Sequence, residues 1–281
     1  MKETNDTMIQ YFEWYLPNDC MLWKKLALEG PRLKKLGISS IWLPPAFKAA
    51  GGINDTGYGI YDLYDLGEFN QKGSIRTKYG TKAEYLDAIK ALQKSGIKVL
   101  ADIVLNHRFG ADEKEDIIAY KVNPQNRNEV LGNYQTISAW TKFNFEGRNN
   151  KYSNFNLDWS HFNGIDYDDK SKENAIFKFY GKHWSPDVDL ELGNYDYLIG
   201  CDVDFNNLDV VNDLFTWGKW FLAKTNVDGF RLDAIKHIRS SFYKRWLHDL
   251  KQISEKELFT VGEYFSCNVN SLINYLTENP E

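Results

Sequence analysis

The sequence has few cysteines, no long apolar run and no excess of basic residues. Cys20, Cys201 and Cys267 are odd in number, and no two stand in C-x-x-C spacing. That excludes a disulfide framework and a cysteine zinc site; the reading is reduced thiols in a cytoplasmic protein. A secreted chain, trimmed and restarted at Met, is the alternative. No stretch reaches the roughly 18 apolar residues of a membrane span, so neither a spanning helix nor a membrane partner is expected. The opening Met1-Lys-Glu-Thr-Asn-Asp-Thr7 lacks the basic-then-apolar build of a signal segment. A formal net charge of −5 offers no basic face for phosphates, so nucleic acid is not the expected partner. Aromatic residues, in contrast, are abundant: nine Trp, 17 Tyr and 17 Phe. Rings fill cores, and they also stack on flat ligands such as the apolar faces of sugars.

A β/α rhythm opens the chain. Met8–Phe12 reads as a strand. Leu22–Leu36 reads as a helix, kinked or split by Pro31 and stopped by Gly37. Ile38–Leu43 is a second strand, and the short connection implies a parallel pair. The loop Ala46–Lys78 is too long for a mere link. Its stretch Gly57-Tyr-Gly-Ile-Tyr-Asp-Leu-Tyr-Asp65 is either a packed loop or the lining of a polar, ring-stacking cleft. Lys82–Ser95 is an amphipathic helix capped by Thr81 and ended by Gly96. Ile97–Leu105 is a third strand, apolar enough to be buried on both faces, interrupted by Asp102 and terminated by Asn106-His107.

Arg108–Phe205 breaks the rhythm. It is polar, aromatic and rich in Asn and Asp, which predicts an inserted sub-domain of small irregular strands and loops, too aromatic for disorder. Its end, Gly193-Asn-Tyr-Asp-Tyr197 and Cys201-Asp-Val-Asp-Phe205, carries the clustered oxygens a hard cation takes, although an acidic loop is also often simply solvated. The EF-hand spacing is not matched. The rhythm resumes with a helix at Leu208–Thr225, a strand at Asp228–Leu232, a helix at Ser240–Ile253, a strand at Leu258–Glu263 and a short helix at Val269–Leu276. The chain thus divides into 1–107 and 206–281, two parts of one β/α unit, with 108–205 inserted between them.

Polar residues collect at the strand ends: Asn106 and His107, Arg231 and Asp233, then Glu263. In parallel β/α folds the loops converge at that end and carry the active site. Arg231 and Asp233 share parity and face one way. They are either a structural ion pair or an acting one. Two carboxylates on successive strand ends suit glycoside hydrolysis, one as nucleophile and one as acid then base, about 5–5.5 Å apart in a retaining mechanism. Arg231 would keep Asp233 ionised, and an apolar surrounding from Val261, Tyr264 and Phe265 would keep Glu263 protonated.

Three blocks, Ala101-Asp-Ile-Val-Leu-Asn-His107, Gly229-Phe-Arg-Leu-Asp-Ala-Ile-Lys-His237 and Val261-Gly-Glu-Tyr264, resemble sequence blocks of the α-amylase family of glycoside hydrolases. The resemblance extends over the chain, through Ile9-Gln-Tyr-Phe-Glu-Trp14, Tyr58–Asp65 and Gly193–Tyr197, and is nearest to the bacterial liquefying α-amylases. It implies an α/β fold of the (β/α)8 TIM-barrel family with an irregular B domain after the third strand. It implies hydrolysis of α-1,4-glucosidic bonds in starch- or glycogen-type glucans, with Asp233 as nucleophile, Glu263 as general acid/base and Arg231 orienting Asp233. Tyr58, His107, Lys236 and His237 would bind sugar. One Ca²⁺ would be held by the side chains of Asn106, Asp196 and Asp202 and the carbonyl of His237.

Two departures qualify the resemblance. At positions where liquefying enzymes hold further cations with carboxylates, this chain has Asn163, Ser185 and Asn206, leaving only Asp204 as an acid; one calcium is expected and no more. The family's third catalytic carboxylate, an Asp after His on the seventh strand, has no counterpart. The only His-Asp pair, His248-Asp249, falls inside a helical pattern. About five βα units cannot close an eight-stranded barrel, so the expectation is an N-terminal portion, inactive alone. The alternatives are a non-catalytic or weakly glucan-binding module, or an α-1,6-glucosidase or transglycosylase of the same family.

Overall fold

The structure, a computed structural model, describes residues 6–278. The first five residues, part of the opening read for a leader, lie outside the described residues. In chain order the elements are β1 (Met8–Gln10), α1 (Leu22–Lys35), β2 (Ser40–Leu43), β3 (Lys48–Ala49), β4 (Ile60–Asp62), α2 (Lys82–Lys94), β5 (Lys98–Ile103), β6 (His107–Arg108), β7 (Glu113–Asn123), β8 (Asn126–Lys142), β9 (Phe162–Asp168), β10 (Glu173–Phe179), β11 (Cys201–Val203), α3 (Leu208–Thr225), β12 (Gly229–Leu232), α4 (Ser240–Ile253), β13 (Phe259–Gly262) and α5 (Val269–Glu278). Strands β1-β2-β5-β12-β13 form one parallel sheet in that order, each joined to the next through a helix. This is half of a β/α barrel. β5 is buried along Val99–Ile103, as its apolar run requires.

The helices follow local chemistry. Thr81 Oγ1 accepts from Glu84 N (3.3 Å) and Glu84 Oε2 from Thr81 N (2.8 Å), a capping box that starts α2. Gly37 and Gly96, at φ +86° and +72°, end α1 and α2 in a conformation that costs other residues a Cβ clash. Asn207 caps α3 through Asp209 N at 2.9 Å. Pro31 neither splits nor ends α1, which runs unbroken from Leu22 to Lys35. Its ring lies on the exposed face, while Leu22, Trp23, Leu26, Gly30 and Leu33 bury the other, so packing outweighs one lost backbone bond.

One expectation is corrected and one open alternative is resolved. The segment after β5 is not a set of small irregular strands. It builds a six-stranded antiparallel sheet, β6-β11-β9-β10-β7-β8, whose hairpin β7–β8 has strands of 11 and 17 residues. Ile117, Ala119, Ile137 and Ala139 turn into the core from its middle, and Val122 joins a smaller cluster with Trp184 and Tyr197. Elsewhere apolar and polar residues are mixed on both faces, with Ile118, Val130, Leu131, Tyr134 and Trp140 exposed, so its sequence shows no sustained apolar alternation. The loop after β2 lines the cleft with Tyr58 alone among its tyrosines and aspartates. Tyr61, Tyr64, Asp62 and Asp65 are buried, with the Tyr61 hydroxyl on Asp112 (2.8 Å), the Tyr64 hydroxyl on Asp213 (3.0 Å) and Asp62 paired to Arg148 (2.9 Å).

Candidate active site

Parallel register sets the site. Arg231 on β12 is paired with Asp102 on β5 and with Val261 on β13. Its guanidinium reaches both neighbours and its own strand end. Nη1 donates to Asp102 Oδ1 (2.8 Å) and Asp233 Oδ1 (2.6 Å), and Nη2 lies 2.6 Å from Glu263 Oε2. The other oxygen of Asp102 accepts from the Tyr58 hydroxyl (2.7 Å) and Trp42 Nε1 (2.9 Å). The Arg231 guanidinium lies 4.7 Å from the Trp42 ring centroid. One cation therefore gathers three carboxylates at the C-terminal ends of three adjacent strands.

These groups open into a cleft of about 710 Å³ lined by Tyr58, His107, Arg231, Asp233, Lys236, His237 and Glu263, with the rings of Phe12, Trp14, Trp42, Tyr195 and Phe265. Trp14 stacks on Tyr58, centroids 5.9 Å apart and planes 14° apart. Every residue predicted to be catalytic or sugar-binding lines this one cleft. Asp102 and Trp42 were missed. The signal for Asp102 was present: a lone carboxylate inside a doubly buried strand must have a partner.

The electrostatics differ from expectation. Burial, and then the charge of Asp102, push Asp233 up to about 7, against the pull of Arg231. Glu263 is not enclosed by its apolar neighbours. Its side chain is 44% exposed against 10% for Asp233, because no strand lies beyond β13 among the described residues. Burial lowers both His107 and His237 to about 4, so both rings are neutral at pH 7. His107 Nε2 donates to Tyr58 O (2.9 Å) and His237 Nδ1 to Tyr195 O (2.7 Å), since a carbonyl can only accept. Lys236 Nζ is engaged by Glu191 (2.6 Å) and Phe265 O (2.8 Å), and its side chain is only 3% exposed.

The residues read as cation ligands lie beside the cleft. Asp196 and Asp202 are both buried, joined by Asn163 Nδ2 at 3.0 and 3.3 Å, with Ser185 N on Asp196 at 2.9 Å. Burial raises both carboxyls, Asp196 to about 7. Asn106 Nδ2, Asn163 Oδ1 and Ser185 Oγ are buried without partners. Two desolvated carboxyls among orphaned polar atoms fit a hard oxygen-loving cation. Among the described residues no three His, Cys, Asp or Glu side chains converge on one point, so such an ion would rely on amide and carbonyl oxygens. Asp204, the remaining acid of the lost set, pairs with Lys182 Nζ at 2.7 Å.

A family model described as the α-amylase catalytic domain matches residues 31–281. The chain belongs to the α-amylase family. It is 55% identical over 275 residues to an α-amylase of Geobacillus stearothermophilus, covering 97% of this chain and 50% of that one. It is 44% identical over 278 residues to the cytoplasmic α-amylase of Escherichia coli (strain K12), covering 98% and 56%. Among solved structures, the α-amylase of Geobacillus thermoleovorans complexed with acarbose superposes with a TM-score of 0.57 at 21% identity, covering 97% of this chain and 49% of that one, which shows the shared fold. The chain spans about half the length of the curated relatives it matches.

Proposed function

We propose that this α-amylase-family chain carries the glucan-binding cleft and the acid/base pair of a retaining hydrolase of α-1,4-glucans. The carrying observation is the single guanidinium that holds Asp233 on one terminal nitrogen and Glu263 on the other, each at 2.6 Å. That sets the two carboxyls side by side on one cation, the neighbourhood that a retaining pair of acids needs. Asp233 attacks the anomeric carbon while Glu263 passes its proton to the glycosidic oxygen, which departs as an alcohol. Water then cleaves the glycosyl ester as Glu263 takes its proton. Arg231 and Asp102 position Asp233, Trp14 and Tyr58 offer ring faces to the sugar, and His107, Lys236 and His237 face its hydroxyls. The antiparallel sheet of 108–205 serves as the B domain walling one side. Three free cysteines and the cytoplasmic relative support a cytoplasmic setting. Titration with maltoheptaose, read by Trp14 and Trp42 fluorescence, is expected to show saturable binding; a flat titration would sink the reading.

A glucan-binding role without turnover is the second reading, favoured by the exposure of Glu263. Release of reducing ends from soluble starch, lost on Glu263→Gln, supports hydrolysis; binding with no release supports the second role.

Asn106, Asp196, Asp202 and the His237 carbonyl would hold one Ca²⁺, which would neutralise the two buried carboxylates and tie the antiparallel sheet to the parallel one. Calcium at a hundredfold excess over its Kd is expected to raise the wild-type melting temperature by roughly 5–10 °C. Asp202→Asn is expected to abolish that response and to melt above calcium-free wild type, because one of two unpaired buried charges is gone. A variant that still responds to calcium, or two tight sites on titration, contradicts the single site.

A further inference from the structure

The outer face of the antiparallel sheet carries an aromatic cluster with no role in the core. Tyr120 on β7, Tyr134 on β8 and Tyr180 just past β10 form a triangle with ring centroids 5.7–6.1 Å apart. Tyr134 is 60% and Tyr180 54% exposed. Register explains why they meet: Tyr120 pairs with Lys178, Tyr180 N donates to Ile118 O at 2.8 Å, and a bulge between Ala119 and Lys121 brings the 131–135 segment of β8 alongside. The inward neighbours Ile117, Ala119, Ile137, Phe177 and Phe179 fill the core, so nothing in the packing demands rings outside. Trp140 has the parity of Tyr134 on β8, six residues and about 20 Å along the strand. It stands 40% exposed at a separate pocket of about 390 Å³ beside Phe109 and Tyr167.

An outward sheet face is ordinarily polar, and clustered exposed rings mark a contact surface. The nearby charges Lys114–Asp169 (2.9 Å) and Lys121–Glu173 (2.6 Å) are paired off, and the Lys178 ammonium, opposite Tyr120, is turned over the Trp184 ring at 5.8 Å, so no cluster of like charges marks an ionic partner. Tyrosine presents an apolar face and a hydroxyl edge together, the pairing that matches the CH faces and hydroxyl rims of glucose units. We propose that Tyr120, Tyr134 and Tyr180 form a second glucan-binding surface outside the cleft. It rests on the glucan reading of the cleft, and it holds a long chain while the cleft works on another part of it.

Electrophoresis of the 281-residue chain through gels containing amylopectin tests this, with maltotriose quenching of the cleft tryptophans as an independent readout. Replacing all three tyrosines with Ala is expected to weaken amylopectin retention about tenfold, and the Phe triple to stay within about twofold of wild type, with maltotriose quenching unchanged in both. Tyr134→Ala alone, at the most exposed position, is expected to cost about threefold, which keeps the test sound if the triple fails to fold. Undiminished retention in the Ala variants overturns the proposal, as does a Phe triple as weak as the Ala triple. Wild type that is quenched by maltotriose but not retained overturns the surface alone; wild type that is neither quenched nor retained overturns the glucan reading as well. An Ala triple that turns a dimer into a monomer with unchanged retention overturns it in favour of a contact between copies of this chain.

Discussion

Replacing Arg231 with Met is expected to cost about 3–5 kcal/mol of unfolding free energy at pH 8, the loss typical of breaking a buried ion pair from one side. The size follows from what is left behind. Asp102 has a fully buried side chain and Asp233 a 10% exposed one, and among the described residues both rely on Arg231 Nη1 for their only cation at hydrogen-bond distance. Both carboxyls already lie above their ordinary 3.8 through burial, Asp233 at about 7. Without the guanidinium both rise further. A carboxyl raised in the folded state costs stability where it must ionise, above its folded value. The cost fades as pH falls back through that value toward 3.8. The deficit of the variant is therefore expected to be large at pH 8 and clearly smaller at pH 5. Arg231→Lys is expected to fall between, since one ammonium cannot span Asp102, Asp233 and Glu263 as the planar fork does. Urea titrations at the two pH values provide the check; a loss under 1 kcal/mol, or one that does not change with pH, means the triad does not hold the strands together.

Replacing Lys48 with Met is expected to cost a similar amount, about 3–5 kcal/mol, far from the cleft chemistry. Lys48 on β3 is fully buried. Its Nζ donates to the carbonyls of Phe69 (3.1 Å), Ser74 (2.6 Å) and Ile75 (2.8 Å), and Asp65 Oδ2 lies at 3.6 Å. The ammonium stands where a small metal ion would in a carbonyl cage. Met has the length and none of the donors, so the carbonyls of Phe69 and Ile75 lose the ammonium and Ser74 O is left with Gln71 N at 3.1 Å. Asp65 is buffered by Gly67 N, Glu68 N and Gln71 Nε2, so the loss falls on the loop backbone. Because β3 pairs with β4 and Ala50 N donates to Gly59 O at 2.8 Å, loosening the cage also loosens the segment that presents Tyr58. Hydrogen exchange in residues 66–76 is expected to speed up first. Wild-type protection there, together with an unchanged unfolding free energy, would refute the role given to Lys48.

How much of this was legible differs from residue to residue. The helix Leu208–Thr225 and the helix Ser240–Ile253 are found with the bounds read from apolar spacing, because each buries one stripe. The seven residues placed by their position at strand ends or by family resemblance do line one cleft. Asp102 was seen only as an interruption, since its partner lies 129 residues away and is brought near by strand register. Lys48 carried no signal at all, because a lysine in a loop is ordinarily solvated. Asn163 was counted as a missing carboxylate, whereas it is the amide that separates two buried ones.

By itself the sequence determined the order of the strands and helices of the parallel sheet, the parity that turns Arg231 and Asp233 one way, and the family, because these depend on spacing along the chain. Tertiary structure decided which carboxylates share the guanidinium, that Asp233 is buried while Glu263 is open, that 108–205 forms a long antiparallel sheet, and that three tyrosines meet on its outer face. Those are properties of pairs brought together across strands and of the solvent each pair excludes, and neither register nor burial is written in local spacing.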